Sequence, residues 1–191
     1  MAHVSIIGTG TMGQAIASVV TKGGNTTELI GHTDSGKPAT GEIVVLAVPY
    51  PAVADVLATR GDQLAGKVVV DITNPPNFET FDSLTVPADS SAAAEIAAAL
   101  PQSKVVKAFN TTLAATVASG AVGDLPTTVL IAGDDAEAKS LLAGVATAAG
   151  LRAIDAGSLR RARELEALAF LQITLAAQEK LPWTGGFAVV A

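Results

Sequence analysis

The sequence contains no cysteine and only two histidines, His3 and His32. Disulfides, thiolate nucleophiles and cysteine-based metal sites are therefore excluded, and two histidines are too few for a histidine-built metal site. Aromatic residues make up only 4% of the 191 residues, whereas 49% of the residues are hydrophobic. We therefore expect a core built from aliphatic and alanine side chains.

Positive charge and long apolar runs are also scarce. The formal net charge is −6, which argues against a nucleic-acid or anionic-membrane partner. The uncharged stretch 108–123 is broken by Asn, Thr, Ser and Gly, and it lacks the roughly 20 strongly apolar residues that a membrane span needs. Because the amino terminus shows no signal-peptide pattern either, we expect a cytoplasmic protein.

Short apolar runs alternate with helix-like segments along the whole chain. Runs such as Val-Val-Val-Asp-Ile at 68–72 are apolar on both faces of a strand, which is typical of a parallel sheet covered by helices on both sides. The predicted strands are 3–7, 26–30, 43–48, 67–72, 104–109, 127–132 and 151–154. The predicted helices are 12–22, one within 50–64, 90–100, 134–149 and 158–180. The pattern predicts an α/β fold, a Rossmann-like doubly wound parallel sheet with a long C-terminal helix.

A glycine-rich turn follows the first predicted strand. Gly8-Thr9-Gly10-Thr11-Met12-Gly13 matches G-x-G-x-x-G and opens the first predicted helix, which is the context that a dinucleotide-binding fold requires. The first glycine permits the tight turn, the second lets the pyrophosphate approach the backbone, and the third lets helix and strand pack closely. Because the helix amino terminus also offers free N–H groups to an anion, the motif predicts dinucleotide binding.

The end of the second predicted strand indicates which dinucleotide is bound. Sites that prefer NAD place an acid there for the ribose hydroxyls, whereas Ile30 is followed by glycine, and Asp34 falls two or three positions past the tip. The side chains that can donate hydrogen bonds to a 2′-phosphate instead are His32, Thr33, Ser35 and Lys37. NADP(H) is therefore favoured, and the alternative is an ordinary polar turn in which Lys37 points to solvent.

The same stretch, 31–42, is too short for a helix and a strand. We therefore expect the second helix and third strand of the usual dinucleotide half to be missing, or reduced to a loop. Residues 31–37 also have the spacing of a phosphate-binding P-loop, but Pro38 replaces the magnesium-binding Ser or Thr and no helix follows. These two departures exclude a P-loop.

Six motifs occur in an order that resembles one enzyme family. They are Gly8–Gly13, Ala47-Val48-Pro49, Val70–Pro75, Lys107-Ala108-Phe109-Asn110-Thr111, Ala132–Asp135 and Asp155-Ala156-Gly157. The whole chain resembles the NADP-dependent oxidoreductases typified by the NADPH:deazaflavin (coenzyme F420) oxidoreductases, and the N-terminal reductase domains of the STEAP metalloreductases look like relatives. Family members with deazaflavin activity commonly have Ser/Thr-Arg after the second strand, and this chain lacks that arginine.

The resemblance implies an NADP(H)-binding Rossmann domain over 1–156. It also implies a C-terminal helix and tail over 157–191, in the same compact unit, that help the protein to dimerise. The implied reaction is hydride transfer between nicotinamide and a flavin-like ring, which needs few catalytic side chains because the cofactors carry the chemistry.

Further candidate residues lie at the ends of the predicted strands, where ligands bind in such sheets. They are Ala47, Val48, Pro49 and Tyr50 after the third strand, Asn74 after the fourth, and Asn110 and Thr111 after the fifth. Val48 and Pro49 can pack on the nicotinamide, Asn74 can bond its carboxamide or a ribose, and Asn110 and Thr111 can contact the reacting rings. Strand termination and turn formation would explain the same residues without a ligand.

Charged residues in the second half of the chain have plainer interpretations. Lys107 is costly to bury unless it is paired, and Asp71 or Asp155 are possible partners near neighbouring strand ends. We interpret the cluster of Arg160, Arg161, Arg163, Glu164 and Glu166 as a solvated or interface charge cluster.

The sequence leaves the hydride acceptor open. A deazaflavin or flavin-like ring is favoured, with Tyr50, Asn110 and Trp183 as candidates beside it. A reductase of small imines or carbonyls would need a proton donor, and Tyr50 is the only tyrosine. A non-catalytic NADP(H)-binding sensor is the third possibility. The apolar face of 158–180 predicts a homodimer, and the tail with Trp183 can cover either the cleft or the dimer seam.

Overall fold

The structure is a computed structural model that describes residues 1–34 and 36–190. Its strands, in chain order, are β1 (His3–Ile7), β2 (Thr26–Ile30), β3 (Ile43–Leu46), β4 (Val68–Asp71), β5 (Lys104–Lys107), β6 (Ala121–Val122), β7 (Leu125–Pro126), β8 (Thr128–Gly133) and β9 (Arg152–Gly157). Its α-helices are α1 (Thr11–Lys22), α2 (Val53–Arg60), α3 (Ala92–Ala99), α4 (Ala114–Ser119), α5 (Ala136–Ala148) and α6 (Ala162–Ala177). Within the described residues none of these helices is long and apolar enough to cross a membrane.

A central seven-stranded sheet has the strand order β2-β1-β3-β4-β5-β8-β9 in the part of the chain that is described. Helices α1, α4 and α5 cover one face, whereas α2, α3 and the start of α6 cover the other. The strand β4 shows why both faces are dry, since Val68 and Val70 pack on the first side and Val69 on the second. The predicted Rossmann-like α/β fold with a long C-terminal helix is confirmed.

The sheet departs from the predicted parallel arrangement at one edge. Strands β1 to β5 are parallel, but β8 pairs antiparallel with β5, and β9 runs parallel to β8. A parallel pair needs a crossover that carries the chain back along the sheet. The connection from β5 to β8 holds only the six-residue α4 and the β6–β7 hairpin, so the chain enters β8 from the edge at which β5 ended.

The shortening after β2 is confirmed. The described residues between Ile30 and Ile43 form a loop without a helix or strand, and β2 is therefore an edge of the sheet. A buried arginine holds this loop in place through two hydrogen bonds. The guanidinium of Arg60, at the end of α2, donates hydrogen bonds to the backbone carbonyls of Asp34 and Lys37, both at 2.6 Å.

Two of the helices, α3 and α5, begin at side-chain caps. Ser91 caps α3 by accepting a hydrogen bond from the Ala94 N–H at 3.0 Å, and Asp135 caps α5 through the Ala138 N–H at 2.8 Å. Such caps satisfy N–H groups that have no partner inside the helix. They fix the starting points of α3 and α5 relative to the strand ends.

Candidate active site

The glycine-rich turn connects β1 to α1 and is shaped by two close backbone approaches. A Cβ on Gly8, whose φ is 120°, would lie 2.1 Å from the carbonyl oxygen of Ala47, and a Cβ on Gly13 would lie 2.3 Å from the carbonyl oxygen of Gly8. Both positions therefore require glycine. At Gly10, in contrast, an added Cβ would meet no described atom within 4 Å. This open position faces the start of α1, where N–H groups are free to bind an anion.

The remaining residues of this turn surround the opening. Thr9 and Thr11 are exposed, and Met12 is half-buried against the core. The Gly8 N–H donates to the Ile30 carbonyl at 2.9 Å. The end of β2 therefore lies directly beside the turn.

The tip after β2 presents His32 and Thr33 to solvent beside the glycine-rich turn. Gly31 approaches Thr9, whose methyl carbon would lie 3.5 Å from a Cβ at Gly31. Asp34 closes the tip, since its carboxylate accepts a hydrogen bond from the Gly31 N–H at 2.8 Å. The Asp34 carboxylate therefore stabilises the turn. Ser35, the third predicted phosphate contact, lies outside the described residues.

Lys37 lies under the tip and contacts two residues of β2. Its ammonium donates to the Leu29 carbonyl at 3.1 Å and lies 3.5 Å from Glu28 Oε2. Although burial alone would raise the pKa of Glu28, hydrogen bonds from Ser5, Thr40 and Lys37 lower it to about 2. The ion pair and Arg60 form a charged support beneath the tip. Arg60 was not among the predicted residues, because nothing in its local pattern indicates a contact with a loop 23 to 26 positions earlier.

The residues after β3 lie beside the glycine-rich turn at the same edge of the sheet. Ala47 continues the strand register, with its N–H donating to the Ile7 carbonyl at 2.8 Å, and so abuts Gly8. Val48 is half-buried and Pro49 is exposed. The Tyr50 hydroxyl donates a hydrogen bond to Glu95 on α3. Burial and the neighbouring Glu95 carboxylate raise the pKa of Tyr50 above its ordinary value, so the phenol keeps its proton.

Two asparagines join the ends of β4 and β5. Asn74 donates from Nδ2 to the backbone carbonyl of Asn110 at 3.0 Å, and Asn110 donates from Nδ2 to Asn74 Oδ1 at 3.1 Å. Phe109 adopts a φ of 60°, a left-handed conformation that is costly for a non-glycine residue. This turn brings Asn110 back towards Asn74, so the structure brings together two residues that the sequence placed 36 positions apart.

Two buried polar atoms at the asparagine pair and the neighbouring Thr73 have no hydrogen-bond partner among the described residues. They are Asn110 Oδ1 and Thr73 Oγ1, although Asn110 is 3% exposed and Thr73 is 4% exposed. A buried polar atom without a partner is costly, and such atoms are expected where a ligand completes the site. Thr73 was not among the predicted residues. Its position between Asp71 and Asn74 at a strand end is the signal that could have identified it.

Beneath this pair lies a fully buried cluster of three charged side chains. The Lys107 ammonium lies 2.7 Å from Asp71 Oδ2 and 2.8 Å from Glu166 Oε1, and all three side chains are 0% exposed. Burial raises the pKa of Glu166. The predicted pairing of Lys107 with Asp71 is confirmed, while Asp155 pairs with Lys139 instead. The interpretation of Glu166 as part of a solvated or interface cluster is wrong.

The last two predicted residues are Thr111 and Trp183. Thr111 is buried just after Asn110. Trp183 follows α6 and is 56% exposed. The tail that carries Trp183 is held by hydrogen bonds from the Phe187 N–H to Gln172 and from Arg152 to the Val189 carbonyl. These bonds direct the tail along α6 and β9.

Comparisons with known proteins identify the family of this chain. The family model described as NADP oxidoreductase, coenzyme F420-dependent, matches residues 32–75. An F420-dependent NADP reductase from Methanocaldococcus jannaschii is 32% identical over 162 residues, which cover 83% of this chain and 72% of that protein. This chain belongs to the coenzyme F420-dependent NADP oxidoreductase family. Membership makes it an NADP-dependent oxidoreductase, and the resemblance seen in the sequence is confirmed.

Two further proteins extend the comparison. Rat metalloreductase STEAP3 is 40% identical over 112 residues, but these cover 59% of this chain and only 22% of STEAP3. The crystal structure of a putative F420-dependent NADP reductase from Arthrobacter sp. FB24 superposes with a TM-score of 0.84 at 26% identity, and the match covers 100% of both chains. The C-terminal helix and tail are therefore included in a shared fold.

Proposed function

We propose that the protein transfers hydride between NADPH and a deazaflavin, coenzyme F420, or a similar flavin-like ring. The observation that carries this proposal is the alignment of three features along one sheet edge. These features are the open cradle at Gly10, the exposed tip at His32 and Thr33, and the unpartnered Asn110 Oδ1. Along the sheet, the tip, the cradle and Asn110 come in this order, which matches the order of the 2′-phosphate, the pyrophosphate and the nicotinamide in a dinucleotide bound across such a sheet.

The residues present fit NADP(H). Residues 8–13 would hold the pyrophosphate, since Gly10 leaves room and α1 supplies N–H donors. His32 and Thr33 would bind the 2′-phosphate, together with Ser35, while Lys37 and Arg60 would hold the tip in place. When bound, the cofactor supplies the hydride.

The protein's own contribution would be orientation and exclusion of water. Asn110 Oδ1 can accept a hydrogen bond from the carboxamide of the nicotinamide, and Thr73 Oγ1 can donate to it or accept from it. Ala47, Val48 and Pro49 offer an apolar wall against which a ring can lie. Holding two rings in contact in a dry site supplies much of what hydride transfer needs.

One observation argues against the alternative of an imine or carbonyl reductase. Such an enzyme needs an acid that gives up a proton near neutral pH. Tyr50 is committed to Glu95 by a hydrogen bond, and its raised pKa makes it a weaker acid than a free tyrosine. We therefore assign Tyr50 to the wall formed by Ala47, Val48 and Pro49.

We further propose that the protein acts as a cytoplasmic homodimer through residues 158–180, with 157–191 forming the dimerising unit beside the 1–156 domain. Apolar side chains remain exposed on α6 and the tail, including Leu171 at 51%, Phe187 at 45% and Val190 at 81%. Light scattering of the purified protein tests this, with a mass of two chains expected. A monomer at micromolar concentration would contradict it.

The experiment that tests the proposed function is a titration with NADPH and NADH, followed by stopped-flow oxidation of the bound NADPH. The acceptors are oxidised coenzyme F420, FMN and FAD. We expect NADPH to bind more tightly than NADH and the deazaflavin to be reduced fastest. Tight NADPH binding without oxidation by any of the three acceptors would contradict the proposed acceptor class. Equal affinity for NADPH and NADH would contradict the role of the tip.

A further inference from the structure

The buried cluster of Lys107, Asp71 and Glu166 connects the C-terminal helix to the two asparagines of the proposed nicotinamide site. Lys107 ends β5, Asp71 ends β4 and Glu166 lies on α6. The ammonium of Lys107 makes three close contacts, to Asp71, Glu166 and the Thr73 carbonyl, at 2.6 to 2.8 Å. The cluster therefore joins three elements at a single atom.

The hydrogen bonds of the cluster converge on Thr73. Its carbonyl accepts from Lys107 at 2.6 Å, and its N–H donates to Asp71 Oδ1 at 2.8 Å. The backbone on both sides of Thr73 is thus fixed immediately before Asn74. Asn110 follows Lys107 by three positions and bonds to Asn74 in both directions. A short path of hydrogen bonds and backbone therefore connects the cluster to the asparagine pair.

Glu166 extends the same network to α3. Its Oε2 accepts a hydrogen bond from the Ala92 N–H at 2.9 Å, and its Oε1 accepts one from the Ala93 N–H at 3.3 Å. A carboxylate is favoured at the amino terminus of a helix, where N–H groups lack internal partners. One side chain of α6 therefore holds the start of α3 and the end of β5 at once.

Stability alone does not explain such a cluster. Replacing a buried ion pair by apolar residues of similar volume is often neutral or stabilising. What charged groups add over apolar packing is direction, because each hydrogen bond fixes the position of one atom relative to another. Here the fixed atoms belong to the peptide groups beside the asparagine pair.

We propose that Glu166, Lys107 and Asp71 are positioning residues that orient Asn74 and Asn110 for the nicotinamide carboxamide. The C-terminal helix then becomes part of the active site, although none of its residues needs to touch the cofactor. This inference rests on the proposed function, since it requires the nicotinamide to bind at the asparagine pair.

The test compares Glu166→Gln with Glu164→Gln. The control makes the same change on the same helix at an exposed position, where Glu164 pairs with Arg161. Each variant is titrated with NADPH and with 2′,5′-ADP, which lacks the nicotinamide half. We expect Glu166→Gln to weaken NADPH binding by about tenfold or more and to leave 2′,5′-ADP binding within about twofold of the wild type. Glu164→Gln should change neither.

The outcomes separate a positioning role from a structural one. If Glu166→Gln weakens both ligands equally, the residue only stabilises the fold, and the inference is overturned. Unchanged binding of both ligands would overturn it as well. If the wild type itself fails to bind NADPH, the proposed function fails, and this result differs from one in which the wild type binds and the variant matches it.

A measurement on the wild type covers the case in which Glu166→Gln does not fold. Amide hydrogen exchange is followed at Ala92 and Ala93, whose N–H groups bond to Glu166. NADPH should slow their exchange, and 2′,5′-ADP should not, because only the nicotinamide half stiffens the asparagine pair and the cluster behind it. Equal protection by both ligands would overturn the inference.

Discussion

Beneath the tip that follows β2, Glu28 and Lys37 keep 16% and 43% of their side chains exposed, whereas Asp71, Lys107 and Glu166 behind the ends of β4 and β5 are fully buried. Water can replace a partner that is lost at the tip. No such replacement exists in the buried cluster, where removing one charge leaves another without compensation. The tip is therefore suited to tune affinity and selectivity, and the buried end to hold geometry.

The largest effect is expected from a substitution in the buried cluster of Asp71, Lys107 and Glu166. Lys107→Met should lower the free energy of unfolding by about 3–5 kcal/mol, because it leaves Asp71 and Glu166 buried and unpaired. Urea denaturation measures the change. Lys139→Met is the matched control, because Lys139 also pairs with an aspartate, Asp155, whose side chain is 61% exposed. That pair should be worth less than about 1 kcal/mol, and equal losses in the two variants would show that burial does not determine the cost of losing a charged partner.

Gly10→Ala tests the glycine-rich turn, where an effect on cofactor binding can be separated from an effect on packing. The change should leave the urea midpoint nearly unaltered, since an added Cβ meets no described atom within 4 Å. It should weaken NADPH binding by about 100-fold, because the methyl group occupies the approach of the pyrophosphate. Fluorescence titration measures the affinity. Binding as tight as in the wild type would mean that the pyrophosphate does not lie at Gly10.

Arg60→Gln tests whether the tip selects for the 2′-phosphate. Loss of the two guanidinium bonds to Asp34 and Lys37 loosens the loop that carries His32 and Thr33. We expect about a tenfold loss in the preference for 2′,5′-ADP over 5′-ADP, with 5′-ADP binding unchanged. Calorimetric titration of both ligands gives the ratio. The control is Arg161→Gln, at an exposed arginine that pairs with Glu164, and a preference lost equally in both variants would rule out a specific role for Arg60.

The smallest effect concerns the pH dependence of the tip. Glu28 has a folded-state pKa of about 2 against an ordinary value of 4.5, so its contribution to stability is complete above 4.5 and is lost as the pH falls towards 2. Between pH 5 and pH 2 the wild type should lose about 1–2 kcal/mol more unfolding free energy than Glu28→Gln, after allowance for solvent screening. Urea titrations across this range measure it, and parallel curves would show that Glu28 is not held ionised by its neighbours.

Local patterns in the sequence were enough to predict most of the sheet and the ligand edge. The glycine spacing at 8–13 and the polar residues that follow apolar strands depend on neighbours in the chain, so they can be recognised without a structure. The missing helix after β2 could be predicted because 31–42 is simply too short. The cost of burying an unpaired charge was enough to predict that Lys107 is paired, but it left Asp71 and Asp155 as alternative partners.

Long-range contacts could not be predicted in the same way. Glu166 looks like one member of a charged helix start, and only the packing of α6 on α3 shows that it is buried. Arg60 ends an ordinary helix, and its bonds to the loop depend on how α2 sits beneath β2. The reversal of β8 depends on the short α4 and the β6–β7 hairpin, neither of which has a strong pattern of its own.

The most direct measurement is a crystal structure of the protein with NADP+ bound. The account predicts that the pyrophosphate lies against Gly10, that the 2′-phosphate lies beside His32 and Thr33, and that the carboxamide nitrogen lies about 2.7–3.2 Å from Asn110 Oδ1. A nicotinamide ring directed away from the asparagine pair, with Asn110 Oδ1 still unpartnered, would contradict the account.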